Sequence, residues 1–164
     1  MSDVFPPLDI TPMWARVNDE LVELLDLLPD DKLDWSPSPD RWNVRGILLH
    51  VCIGRYGLMQ VIVQDGRQAP DVLKEGRTRD GLREQLRLSW KRMQPFLSDA
   101  AALVREYEVP FAGQTSRVNG HWLAFGQLEH DVHHRGEIGG YLTLLGIEHP
   151  EPDTLGRRLA EGLG

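Results

Sequence analysis

Four amphipathic segments with helical period, cut apart by Pro- and Gly-containing stretches and accompanied by no convincing strand pattern, predict an all-α protein built as a four-helix bundle. At 164 residues the chain fits a single domain, 1–164, large enough to bury a core without disulfides or metal merely to fold. Its hydrophobic fraction of 41% is ordinary for a globular chain and leaves enough apolar residues to line four inward faces.

The first helix is expected from about Thr11, a candidate N-cap followed by Pro12, to Leu28 before Pro29, with an inward stripe of Trp14, Val17, Leu21, Leu24, Leu25 and Leu28. The second follows the turn-rich "DWSPSPDRW" and runs from about Asn43 to Val63. The third is expected from Asp80 to Val104, with Leu82, Leu86, Trp90, Met93 and Leu97 on one side and Pro95 kinking or interrupting it. The fourth spans roughly Asn119 to Leu145 and is closed by Gly146. The connections near 64–79 and 105–120 are long enough for one to cross the bundle end, and residues 152–163 can add a short terminal helix. The five tryptophans (Trp14, Trp35, Trp42, Trp90, Trp122) are expected mostly in core and bundle-end packing.

Charge narrows the function classes. Eighteen basic against twenty-five acidic side chains leave a net charge of −7, which argues against nucleic acid as a partner, because phosphate binding needs a clustered basic face. Cys52 is the single cysteine, so no intrachain disulfide forms, as befits a reducing compartment. The opening "MSDVFPPLDITP" lacks the basic-then-apolar pattern of a secretory signal, and the apolar stretches are broken by Arg, Gly or Gln before they reach a membrane span. A cytoplasmic protein with no membrane partner is the expectation.

The stretch "HDVHHRGEI" at 130–138 holds three of the six histidines. At 100° per residue, Leu123, Gln127, His130, His134, Glu137, Ile138, Tyr141 and Leu145 fall in a sector about 100° wide, the usual width of a buried face. His133 lies at one margin of it and Asp131 at the other. His130 and His134 therefore point inward together, and burying two imidazoles costs free energy unless each finds a partner. A shared divalent ion is such a partner. On the second helix, His50 shares a face with Ile47, Leu58 and Val61, and with Gly46, Gly54 and Gly57, as if space were kept beside it. A third imidazole from a facing helix completes a three-histidine site with open positions, the arrangement of a catalytic rather than a structural metal. Cys52 falls almost opposite His50. His133 is expected beside the ligands or at the rim, with His130/His133/Glu137 as an alternative ligand set, while His121 and His149 look like helix-end or loop residues. Three imidazoles suit zinc, nickel, copper or iron alike.

"DRWNVRGILLHV" (40–51), followed some eighty residues later by "LEHDVHHRGEIGGYLTLLG" (128–146), resembles the DinB/YfiT-like family of metal-binding four-helix bundles. The resemblance implies an up–down–down–up bundle, often a homodimer, holding a divalent ion such as zinc or nickel on His50, His130 and His134. Glu137 departs from the glutamine common in the family after "HHRG". It is a candidate fourth ligand, an acceptor for an imidazole N–H, or a base.

Two chemistries follow from an open three-histidine site. It can lower the pKa of a bound water and hydrolyse a substrate, or it can bind a low-molecular-weight thiol as thiolate and present it to an electrophile. Relatives in the family resemble thiol-dependent S-transferases and isomerases. Glu137, or in second place Asp131, would orient the ligands or handle a proton, and Tyr56 and Tyr141 are candidates to line a small-molecule pocket. The contrasting reading is a non-catalytic, stress-related binding module with a structural metal. A haem held by His50 and His130 is a further alternative, and a carboxylate-bridged di-iron centre is disfavoured because no Glu-x-x-His occurs.

Overall fold

In the computed structural model, which describes residues 9–111 and 113–151, the first helix is α1, Thr11–Leu27. Thr11 is its first helical residue rather than its cap. Its N–H donates to Asp9 Oδ1 (2.9 Å), and the first helical hydrogen bond runs from Trp14 N–H to the Ile10 carbonyl (3.0 Å). Trp14, Val17, Leu21, Leu24, Leu25 and Leu28 are all buried, as the 3.6-residue period requires.

α2, Val44–Gly57, is capped by Asn43, whose side-chain oxygen accepts from Gly46 N–H (2.8 Å). Beyond Gly57 the chain widens into a π turn, Leu58–Val63, ending at Gln64 in the left-handed region (φ 57°). The wider turn breaks the 100° wheel, so Val61 faces solvent instead of sharing the face of His50. A short helix, α3 (Val72–Glu75), lies in the following connection.

α4, Arg79–Ser98, is not interrupted at Pro95, which lies inside it, and its expected inward stripe, Leu82 to Leu97, is buried. The interruption comes at Asp99, whose carboxylate accepts from Ala101 and Ala102 N–H (2.9 and 3.2 Å) and starts a separate helix, α5 (Ala100–Val104). A β-hairpin then replaces the expected irregular connection: β1 (Glu106–Phe111) pairs antiparallel with β2 (Gln114–Asn119), Glu106 opposite Asn119 and Phe111 opposite Gln114. The alternation Glu-Tyr-Glu-Val in β1 is its sequence signal, and Tyr107 is buried edge-on to Phe96. β2 is polar and largely exposed and carries no such alternation.

α6, Gly120–Leu144, starts at the Asn119 cap, which accepts from Trp122 N–H (3.1 Å). It ends in a Schellman motif: Gly146 N–H bonds to the Thr143 carbonyl and Ile147 N–H to that of Leu142 (3.0 and 2.9 Å), with Gly146 at φ 70°. The described residues are thus mostly helical with one small sheet. The four long helices are the four expected, with α1 packed on α4 and α6, and α2 packed on the same two. The terminal helix expected at 152–163 lies outside the described residues.

By length and composition Val44–Val63 is apolar enough to cross a membrane, contrary to the expectation that its Arg, Gly and Gln residues would keep it short of that. Half of this span is buried against the rest of the protein, and it carries the fully buried Arg55. Trp42 and Trp122 also depart from expectation, since both are exposed, while Trp14 and Trp90 are in the core with ring centroids 5.6 Å apart.

Candidate metal centre

The deepest stripe of α6 is displaced from the expected one. Ala124, Leu128, Asp131, Ile138 and Leu142 are its most buried residues, and Gln127, His130 and Glu137 lie on the flank. Asp131, placed at the margin by the helical wheel, is therefore at the centre and has no exposed surface. The wheel ranks positions by apolar neighbours, and it cannot register that a carboxylate faces a buried cation from another helix.

That cation is Arg55 of α2, also fully buried, whose Nε donates to Asp131 Oδ2 (2.8 Å). Trp14 Nε1 of α1 donates to the same oxygen (2.7 Å), and Gln127 Nε2 donates to Oδ1 (3.1 Å). Arg55 Nη1 reaches Asn18 Oδ1 (2.8 Å), the Leu86 carbonyl and Ser89 Oγ (both 3.3 Å), so one buried cation ties α2 to α1, α4 and α6. Burial pushes the Asp131 carboxyl upward, but Arg55 and the hydrogen bonds from His130, Trp14 and Arg55 outweigh it, and Asp131 titrates below its ordinary value. The sequence signal for Arg55 is a lone charge in the apolar stretch after Arg45, where it was counted only as a break.

The fourth group at Asp131 is His130. Its Nδ1 lies 3.3 Å from Asp131 Oδ1, and its Nε2 lies 2.9 Å from Nε2 of His50 on α2. His134, one turn on, has Nδ1 3.0 Å from Glu137 Oε2. Glu137 Oε1 in turn lies 3.2 Å from the Tyr141 hydroxyl, which is equally close to the Trp42 carbonyl. Both rings thus have Nδ1 near a carboxylate, the pairing that favours an N–H at Nδ1 and a lone pair at Nε2, although at His130 the Gln127 Nε2 amide lies closer still (3.1 Å).

One ligand nitrogen from each of His50, His130 and His134 lies within 4.8 Å of the others, with the rings 4.6–5.0 Å apart. Two nitrogens about 2.0–2.1 Å from a common ion sit roughly 3.3–3.4 Å apart at a tetrahedral angle and about 2.9 Å apart at a right angle. The 2.9 Å His50–His130 separation brings the pair within reach of one ion but is shorter than a tetrahedral site would hold it. The cluster can hold a divalent metal ion. Burial and then the neighbouring imidazoles lower the pKa of His50; burial lowers that of His134 despite the opposing Glu137 hydrogen bond. Both shifts favour the neutral, ligating form.

Among the described residues one further group has this geometry: His133, His134 and Glu137, with His133 exposed. The alternative trio His130/His133/Glu137 is not brought together in this way. Tyr141, expected to line a pocket, donates its hydroxyl to Glu137 beside the cluster and is not among the residues lining the cleft at His50. Tyr56 does not: its hydroxyl donates to Gln85 Oε1 (3.3 Å) and its ring lies under Arg92, on the α4 side of α2. Cys52 is fully buried away from the imidazoles, and burial pushes its thiol up to about 11. Of the three glycines of α2, Gly54 makes room for the site, since a Cβ there would meet Gln127 Nε2 at 3.2 Å and His130 Cε1 at 3.4 Å. Gly46 instead lies against the Asn43 cap, and Gly57 faces open space.

Beside His50 a solvent-open cleft of about 490 Å³ is lined by Arg41, Trp42, Asn43, Gly46, Leu49, His50, Ile53 and Leu73. Trp42 forms its inner wall: the ring is edge-on to His50 (4.6 Å) and roughly parallel to His134 (6.4 Å, 17°). Sequence reading assigned Trp42 to packing, because an indole beside turn residues gives no sign of which face stays bare.

A family model, the DinB superfamily, matches residues 13–138, a range that takes in all three histidines, both carboxylates and Arg55. No curated protein matches the chain.

Proposed function

The chain belongs to the DinB superfamily, and from that premise we propose that it is a metal-dependent enzyme that activates a small-molecule nucleophile, water or a low-molecular-weight thiol, at His50, His130 and His134. The observation that carries this reading is the convergence of His50 Nε2 and His130 Nε2 to 2.9 Å from two separate helices, with carboxylates behind two of the three rings. His50 and His130, both half-buried, stand close enough to share one ion, and the buried His134 lies beside them. Zinc or nickel is the proposed ion, in an up–down–down–up four-helix bundle that acts as a homodimer.

A divalent ion there supplies Lewis acidity, lowering the pKa of a water or thiol that binds it. The remaining work falls to side chains of this protein. Asp131 holds the His130 ring and Glu137 the His134 ring, fixing tautomer and direction. Glu137, partly exposed and within reach of the Tyr141 hydroxyl, is the group positioned to take and return a proton. Cys52 supplies no nucleophile, since its thiol is buried and protonated, so the attacking atom comes from a small molecule. The cleft at His50 favours catalysis over a closed structural site.

Metal analysis of native protein tests the assignment. His50→Ala and His134→Ala each lose stoichiometric metal while keeping the helical circular-dichroism spectrum. Full metal content in both variants rules the centre out. Thiol-dependent turnover of electrophiles that stops on chelation identifies a transferase; ester or amide hydrolysis without thiol identifies a hydrolase; a metal-loaded protein inert to both is the non-catalytic module.

A further inference from the structure

The cleft beside His50 is chemically lopsided. Its walls are Trp42, Leu49, Ile53 and Leu73, and among the described residues the only charged side chain lining it is Arg41. Asn43 is occupied as a helix cap, since its side-chain oxygen accepts from Gly46 N–H. Among the described residues the Arg41 guanidinium has no ion pair or hydrogen bond. Arg45, further along the chain, is by contrast engaged with Asp34. The chain carries a net charge of −7, so its overall field repels anions, and affinity for one must be built locally. An exposed, unpaired guanidinium at the edge of an apolar cleft that His50 also lines is such a local feature.

We propose that Arg41 is a specificity-determining residue, and that the cleft takes a small molecule with an apolar body and one anionic group. The anion pairs with Arg41, the body lies on Trp42, Leu49, Ile53 and Leu73, and the opposite end reaches the histidine cluster at His50. Arg41 acts in binding and orientation and takes no part in bond making. The proposal rests on the metal-site reading above, and it adds the substrate's charge and polarity to it.

The test compares ω-mercapto carboxylates of three to eight carbons with the matching neutral ω-mercapto alcohols, titrated into protein of measured metal content. Binding is followed by calorimetry and by fluorescence of the half-exposed Trp42. One member of the carboxylate series binds about tenfold or more tighter than its alcohol, as expected for a charge-assisted pair, and the preference weakens with salt. Arg41→Gln abolishes the preference, Arg41→Glu reverses it, and both keep full metal content and the wild-type melting temperature. Equal affinity for both series in metal-loaded protein overturns the proposal and leaves the metal centre standing. A carboxylate preference that survives Arg41→Gln overturns it too, because the metal, not Arg41, then reads the charge. Protein that carries no metal and binds neither series removes both readings together.

Discussion

Replacing Arg55 by methionine strikes the group on which the candidate centre is mounted. Arg55 and Asp131 have no exposed surface, and their 2.8 Å contact is the one ion pair among the described residues with both side chains fully buried. Methionine fills much of the same volume but leaves Asp131 as a buried carboxylate held only by the neutral donors Trp14 and Gln127 and by His130. Removing one partner of such a pair costs about 3–5 kcal/mol, because the remaining charge loses its compensation. The loss of hydrogen bonds to Asn18, Leu86 and Ser89 adds to the upper end of this range. For a domain of this size each kcal/mol moves the melting temperature by about 2–4 °C, so Arg55→Met is expected to melt roughly 6–20 °C lower. Asp131 then takes up a proton more readily and holds His130 less firmly, so metal affinity falls about 10–100-fold. Thermal melts by circular dichroism and metal titrations on the same preparation measure both quantities. Adding Asp131→Asn to Arg55→Met should recover part of the lost stability, since it removes the stranded charge, but not the metal affinity. An Arg55→Met variant that melts within about 3 °C of wild type and binds metal equally well would refute the view that this pair supports the centre.

Gly54→Ala gains up to about 1 kcal/mol of helix propensity but sets a Cβ against Gln127 and His130, so its melting temperature holds or rises while metal affinity drops several-fold; equal losses in both would contradict this. Asp65, held in a two-point grip by Arg92 (2.7 and 2.9 Å), has its pKa lowered chiefly by that hydrogen bond. Its contribution is therefore full above the ordinary value of 3.8 and is lost as pH falls through the lower folded value. Asp65→Asn should cost about 1–3 kcal/mol in urea unfolding near pH 7, with the gap to wild type closing in acid; a gap independent of pH contradicts the assignment. Cys52, buried and with its thiol pushed to about 11, should resist alkylation at pH 8 in the native state and react at once in urea, as mass spectrometry will show.

Much of the architecture was legible because helices repeat. The stripes Trp14–Leu28 and Leu82–Leu97 and the Gly146 stop follow from 3.6-residue periodicity and cap chemistry, and all three stand in the structure. Departures arise where local rules meet a non-local partner or an irregular turn. The π turn after Gly57 turned Val61 outward, Asp99 rather than Pro95 broke the third helix, and β2 became a strand only by pairing with β1. His50, His130 and His134 were visible as a set on two helices, although only His134 is buried and the other two lie on the flank. The link of Trp14 and Arg55 to a central Asp131 was not visible, because a buried ion pair leaves no periodic trace.

Identity and spacing of residues along each helix were enough to name three imidazoles and the helices that carry them, since one-turn spacing is a local property of the backbone. That the imidazoles of α2 and α6 meet, that Asp131 faces Arg55 and Trp14, and that Trp42 lies against His134 depend on how α1, α2, α4 and α6 pack together. Those relations join residues dozens of positions apart, as Trp14, Arg55 and Asp131 are joined, and they exist only once the chain has closed upon itself.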